Sequence, residues 1–588
     1  MKTQSHRAIS HSFANTVRRI VIPASLLCVS LLASTAHAFC GFYAGKADSS
    51  LFNEASQVIV VRDGNRTVLS MLNDYKGDLK EFALIVPTPV ALQKGQVRIA
   101  EKATFDRLDA YSSPRLAEYH DNDPCRFSFY WGDMLNTNRT GVARPTMMNM
   151  APASADGSRA KALGVTVEVQ YTLGEYDIVS LSATQSDGLE TWLGENGYRV
   201  PKGASAALKP YINQGMKFFV AKVNLAEQAK TGYSMLRPLQ FAFESEKFML
   251  PMRLGMLNAA PGKAQDLIVY MLTKNGRVES SNYRTAKLPA NMNLPFFVKP
   301  KFQEFYKAMF DSEAKKEGHK VVFTEYFWDM AWCDPCAANP LSAQELRNAG
   351  VYWVGGDEEQ GFMQMNGKAA IPSQNTAQNV VQNNGQNMAQ AKRIMPPNGG
   401  GSQPVVLTRL HVRYTPETFP EDLMFTQTKD RQNWQTRYVI QTPYAGSVAQ
   451  CSAKMSTLEC TAMCTSRVAD VWNNSQRIRN TNSASSVLSA NLPYDGQNQA
   501  DLLSSCQKAC EASKQEALQG ASNYYNTALP KRLQAEKQTL AQLTNWGMAQ
   551  IDAMPGANTF NANGLSEKPP LEIAKPERTW WQKLFGTQ

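Results

Sequence analysis

Strand-like runs, rather than helical periods, dominate most of this chain. Val58-Ile59-Val60-Val61 and Thr67-Val68-Leu69-Ser70-Met71-Leu72 lie either side of Asp63-Gly64, and an Asp-Gly pair between two β-branched runs predicts a hairpin. Residues 82–86 predict a buried strand that Pro87 ends, because proline cannot donate to the ladder. Between residues 99 and 111 the apolar spacing becomes helical. Strands are predicted again at Val165–Leu173, Tyr176–Ala183, 216–223, 239–243 and 267–272, with an amphipathic helical piece at 189–193. Phe302, Phe305, Tyr306, Met309 and Phe310 carry the spacing of a helix that buries one face. A strand follows at 321–327, and further strands at 405–414 and 436–441.

From about Leu458 the composition turns to Ala, Gln, Leu and Ser, and helices are predicted as far as Asp552. Strands and helices are interspersed without the strict alternation of a doubly wound sheet. The pattern predicts an α+β fold, a strand-rich mixed body in two lobes followed by a helical region. The lobes are placed at 39–295, with a flexible Met-, Asn- and Pro-rich insertion at 136–159, and at 296–450, with a low-complexity Gln/Asn/Gly/Pro excursion at 373–403. The helical region follows at 451–552 and a polar tail at 553–588.

The first residues change the picture by adding a compartment. Lys2, Arg7, Arg18 and Arg19 precede the apolar stretch from Ile20 to Ala33, which ends in Ala36-His37-Ala38. A positive segment, a short apolar segment and an A-x-A site in that order predict a cleavable signal over 1–38 and a mature protein in the periplasm or secreted. Removing 1–38 leaves 550 residues and takes the formal charge from +10 to +6. Such a mild balance, with no Lys/Arg run, excludes the electrostatic footprint of nucleic-acid binding.

Several segments together resemble the bacterial family catalogued as domain of unknown function 2330. They are Phe39-Cys40-Gly41-Phe42-Tyr43, Phe82-Ala83-Leu84-Ile85-Val86-Pro87-Thr88-Pro89, Gly174-Glu175-Tyr176-Asp177-Ile178-Val179, Trp192-Leu193 through Asn196-Gly197-Tyr198 to Pro201, Leu410-His411-Val412-Arg413-Tyr414 and Phe419-Pro420-Glu421-Asp422-Leu423. The resemblance runs over about 39–445 and implies an exported bacterial protein; it brings no activity with it.

Nine cysteines lie beyond the signal: Cys40, Cys125, Cys333, Cys336, Cys451, Cys460, Cys464, Cys506 and Cys510. In an oxidising compartment these are disulfide candidates. Cys460 and Cys464 share a helix face, as do Cys506 and Cys510, so two antiparallel helices stapled by Cys460–Cys510 and Cys464–Cys506 are expected, with a zinc site as the alternative. The odd count leaves one thiol over, and Cys451 is assigned that place.

The one motif with chemistry is Trp332-Cys333-Asp334-Pro335-Cys336 after the 321–327 strand, placed as a dithiol is in redox proteins. An active thiolate needs a helix N-terminus beside it. Here the next helix starts later, at the capping box Ser342 to Glu345, and Asp334 adds an opposing negative charge. A structural turn disulfide is therefore preferred to a catalytic Cys333/Cys336 pair. His120, His319 and His411 are widely separated and form no metal motif, and no phosphate-binding loop, Rossmann fingerprint or hydrolase elbow is present. No catalytic residue, metal or cofactor is expected. The terminal Trp580-Trp581-Gln582-Lys583-Leu584-Phe585 suits docking on an envelope protein or resting at a membrane surface, with folding back onto its own domain as the alternative. The chain reads as a non-enzymatic binding or assembly protein of the envelope, with a thiol-disulfide oxidoreductase as the second reading.

Overall fold

A computed structural model describes residues 42–45, 55–73, 82–129, 165–198, 200–230, 236–258, 264–332, 334, 339–354, 404–481, 498–558, 560–561 and 564–565. The expected signal 1–38, Cys40, the insertion 136–159, Cys333, Cys336, the excursion 373–403 and Trp580, Trp581 and Phe585 lie outside the described residues.

The centre is a nine-stranded sheet. From edge to edge it runs Arg284–Lys287, Val321–Asp329, Val406–Tyr414, Gln265–Thr273, Ala55–Asp63, Arg66–Asn73, Leu239–Glu244 and Val97–Ile99, with Trp434–Gln435 also paired to Val321–Asp329. Its pairs are antiparallel except Ala55–Asp63 on Gln265–Thr273 and Arg284–Lys287 on Val321–Asp329. Successive side chains of a strand point to opposite faces. Ile268, Tyr270 and Leu272 therefore meet Phe105, Leu108 and Tyr111 of the Lys102–Ser112 helix and Phe305, Tyr306, Met309 and Phe310 of the Phe302–Lys316 helix. Leu267, Val269 and Met271 face the other way, against Phe82, Leu84, Val86, Phe219 and Ala221 of a second sheet.

That second sheet has five antiparallel strands in the order Phe42–Gly45, Phe82–Thr88, Lys217–Val223, Tyr176–Ala183 and Val165–Leu173. Its outer face, Ala83, Ile85, Phe218 and Val220, is covered by Leu189 and Leu193 of one helix and Leu208 and Tyr211 of the next. The result is four layers, helix, sheet, sheet, helix, and the class is α+β. The central sheet takes strands from both sides of residue 295, so the two expected lobes share it.

Local outcomes follow the residues. The hairpin forms with Asp63 paired to Arg66, so Gly64-Asn65 is the two-residue loop, and Gly64 takes a φ of +58° that suits glycine. Pro87 does not end its strand. It pairs with Phe218 and the strand continues to Thr88; the described pairing with the Phe42–Gly45 strand covers Phe82 to Ile85. The capping box forms as expected, with Ser342 accepting from the Glu345 amide and Glu345 from the Ser342 amide.

The helical region is an arm. Helices Cys460–Thr481 and Gln499–Asn523 are joined by Cys460–Cys510 and Cys464–Cys506, the expected pairs. Gln499–Asn523 continues through a π turn, Tyr524–Ala528, into Leu529–Thr544, and a rod of this length spans about 70 Å at 1.5 Å per residue. Its far end sits among the bridges, while Leu540 and Leu543 are part of the body's core. Cys451 is not the unpaired thiol: it bonds Cys125. After the strand Arg115–His120 the chain runs as a strap that inserts Cys125, Phe127 and Phe129 among the arm helices. The two cysteines are 326 residues apart, so no local spacing could reveal the pair.

Candidate functional site

The densest polar chemistry among the described residues lies in the core. Arg409, His411 and Arg413 alternate along one face of Val406–Tyr414, while Leu410, Val412 and Tyr414 supply the apolar face opposite. The flanking strands bring Glu325 on one side and Asp266 on the other, and the helices above bring Asp109, Ser112, Tyr306, Phe310 and Asp311.

The contacts form a chain. Arg409 Nη1 donates to Asp109 at 2.8 Å and its Nε donates to Glu325 at 2.5 Å. The Tyr270 hydroxyl donates to Asp109 at 3.1 Å, and Tyr306 donates to Glu325. His411 Nδ1 lies 2.7 Å from Glu325 Oε1, and its Nε2 lies 3.0 Å from Asp266 Oδ1. Arg413 grips both oxygens of Asp266, at 2.8 and 3.0 Å, and reaches Asp311 at the surface. Phe310 stacks on the His411 ring with centroids 3.8 Å apart.

Electrostatics fixes the protonation. With a carboxylate oxygen at each ring nitrogen, only the imidazolium supplies a donor to both. Burial works against that charge, but Glu325 and Asp266 outweigh it and raise the His411 pKa above its ordinary value. Burial likewise opposes the Glu325 charge, yet Arg409 and then His411 hold its carboxyl down at about 2. Asp266 is lowered in the same way by Arg413 and His411. Asp109, Asp266 and Glu325 are thus balanced by Arg409, His411 and Arg413. The arginine and Glu325 side chains at the centre are 0 % exposed, and Asp311, at the outer end, is half exposed.

These geometries set a pH dependence. A group whose folded pKa is raised stabilises the fold fully below its unfolded value, and loses that contribution as pH rises through the folded one. Unfolding free energy should therefore fall as pH rises above the ordinary histidine range and His411 gives up its proton, and fall at the acid end as Glu325 is protonated near pH 2. Urea midpoints between pH 6 and 10 check the first limb. In His411→Gln the alkaline slope should flatten, and an identical slope in both proteins overturns the assignment.

The sequence-predicted positions lie elsewhere. Cys333 and Cys336 fall outside the described residues, but Asp334 between them is buried and accepts from the Tyr326 hydroxyl at 3.0 Å, while Trp332 before them is 68 % exposed. His120 is exposed beside Glu118, and His319 sits in a turn at positive φ. Among the described residues no group of His, Cys, Asp and Glu has metal-binding geometry, and no helix is long and apolar enough to cross a membrane. The buried cluster was not anticipated. Its signal was three cations at alternate positions in a strand whose other residues, Thr408 aside, are apolar.

Comparison with known proteins adds one match. The family described as an uncharacterised protein conserved in bacteria, DUF2330, matches residues 34–426. That span contains Asp109, Asp266, Glu325, Arg409, His411 and Arg413 and stops short of the arm. No curated protein and no solved structure matches.

Proposed function

The chain belongs to the DUF2330 family of uncharacterised bacterial proteins, and from that premise we propose that it is an exported envelope protein that works by binding or assembly rather than by catalysis. The observation that carries this reading is that the strongest set of ionisable groups is paired with itself inside the core. A general acid or base has to come within hydrogen-bond reach of its substrate, and Asp109, Glu325 and Arg409 lie beneath helices on a sheet face. Three disulfides fit an oxidising compartment outside the cytoplasm, and the charged and apolar segments of residues 1–38 supply the export route to the periplasm or beyond.

The contact surface in this reading is the disulfide-braced arm together with the Trp580, Trp581 and Phe585 segment, facing an envelope protein or a membrane surface. Against the oxidoreductase reading stands Asp334, whose carboxylate is pinned between the two cysteines in sequence and opposes thiolate formation there. A photo-crosslinker placed in cells at the exposed Gln515 of the arm, with the exposed Glu195 on the far layer as control, tests the proposal. A discrete adduct from Gln515 and none from Glu195 is expected. No adduct from the arm, together with a Cys333/Cys336 potential in the range of about −120 to −270 mV typical of oxidoreductases, overturns it.

A further inference from the structure

We infer that Glu536 and Asp121, sharing Arg532, form a pH-responsive clasp that fastens the rod of the arm to the body. Asp121 begins the strap after the Arg115–His120 strand, and Arg532 and Glu536 are one turn apart on the Leu529–Thr544 helix. Arg532 donates to both oxygens of Asp121, at 2.9 and 2.8 Å. Gln441 adds a donor at 2.6 Å and Tyr524, in the π turn, adds another. Asp121 is therefore fully served.

Glu536 is not. It is 3 % exposed, its Oε1 lies 3.4 Å from Arg532 Nε, and its Oε2 has no hydrogen-bond partner among the described residues. One guanidinium thus stands between two buried carboxyls and is already committed to the first. The Phe302–Lys316 helix and the Met292–Leu294 strand also pack on this stretch. The charges that act on Glu536 are Arg532, which favours its ionisation, and Asp121, which opposes it. Burial is the largest influence, and with Asp121 it pushes the Glu536 carboxyl up to about 7 in spite of Arg532.

The sign is set by linkage. A carboxyl with a raised folded pKa carries its proton in the fold at pH values where the unfolded chain has released it. As pH rises through 7, ionised Glu536 becomes a second buried anion on one cation, and the clasp loosens. The π turn beside it, a common element of functional sites in helices, is where the rod can give.

Hydrogen exchange of the disulfide-intact chain between pH 5.5 and 8.5 tests it, with rates corrected for intrinsic chemistry and the Lys102–Ser112 helix as internal reference. Protection of the Leu529–Thr544 helix should drop about tenfold or more across that range, and Glu536→Gln should hold it level. Unchanged protection in the natural protein, or the same drop in Glu536→Gln, overturns the clasp. Asp121→Asn provides a second readout, since it frees Arg532 for Glu536: the transition should move to lower pH, and an unmoved midpoint counts against the inference.

Discussion

Replacing Arg409 with methionine lowers the unfolding free energy by about 3–5 kcal/mol, seen as a fall in the urea midpoint of the disulfide-intact protein with little change in slope. The size follows from what is left behind. Arg409 is the partner of both Asp109 and Glu325, and all three side chains are 0 % exposed. Removing the cation takes from Asp109 the arginine it pairs with and leaves Glu325 with His411 as its cation, in a medium that solvates charge poorly, and the cost of an uncompensated buried charge exceeds the net worth of the pair. Arg409→Lys keeps a charge but loses the fork that spans Asp109 and Glu325, so it should recover only part of the loss. A loss below about 1 kcal/mol in the methionine variant would mean that the cluster is solvated in solution.

Breaking the Cys125–Cys451 bridge with serine at both positions should cost a comparable amount. The bridge closes a loop across 326 residues, and the chain-entropy account gives roughly 4–5 kcal/mol for loops of a hundred residues or more. The strap carries Phe127 and Phe129 into the arm's two small cores, so the loss should concentrate there. Proteolysis under native conditions reads it: the double variant should be cut first near the arm while the sheet layers persist. If cleavage is no faster than in the natural protein, the packing of the strap suffices without the bond.

How much of this was written in the sequence depends on distance along the chain. The Val165–Leu173 and Tyr176–Ala183 strands were read at their true ends, because alternation and the Gly174 turn are local signals. The paired helices of the arm were legible because a spacing of four puts cysteines on one helix face. Pro87 misled, since whether a proline is accommodated in a strand depends on its partner strand, and Phe218 lies about 130 residues further along the chain. Cys451 misled for the same reason at greater range. The pairing inside the buried cluster was out of reach, although its three alternating cations were in view. Arg409 meets Asp109 across 300 positions and Glu325 across 84, and nothing local says that a charge in an apolar strand will find its counterion.

The order of strands in the central sheet bears on how the chain can fold. Gln265–Thr273 pairs in parallel with Ala55–Asp63 and antiparallel with Val406–Tyr414, so the middle of the sheet joins segments about two hundred and about a hundred and forty residues apart. Long-range pairing of this kind is slow, because loop closure comes before any contact that rewards it. A chain emerging from its N-terminus first presents the hairpin of residues 55–73 with both edges bare: the Arg66–Asn73 edge waits for Leu239–Glu244, and the Ala55–Asp63 edge stays bare until residue 273 has followed. The two arm bridges join cysteines only 50 and 42 positions apart and can close early. Cys125–Cys451 joins positions 326 apart, so among the three described bridges it is the one expected to close last, once the sheet has gathered strap and arm together, as a chemical record that the body beneath it has formed.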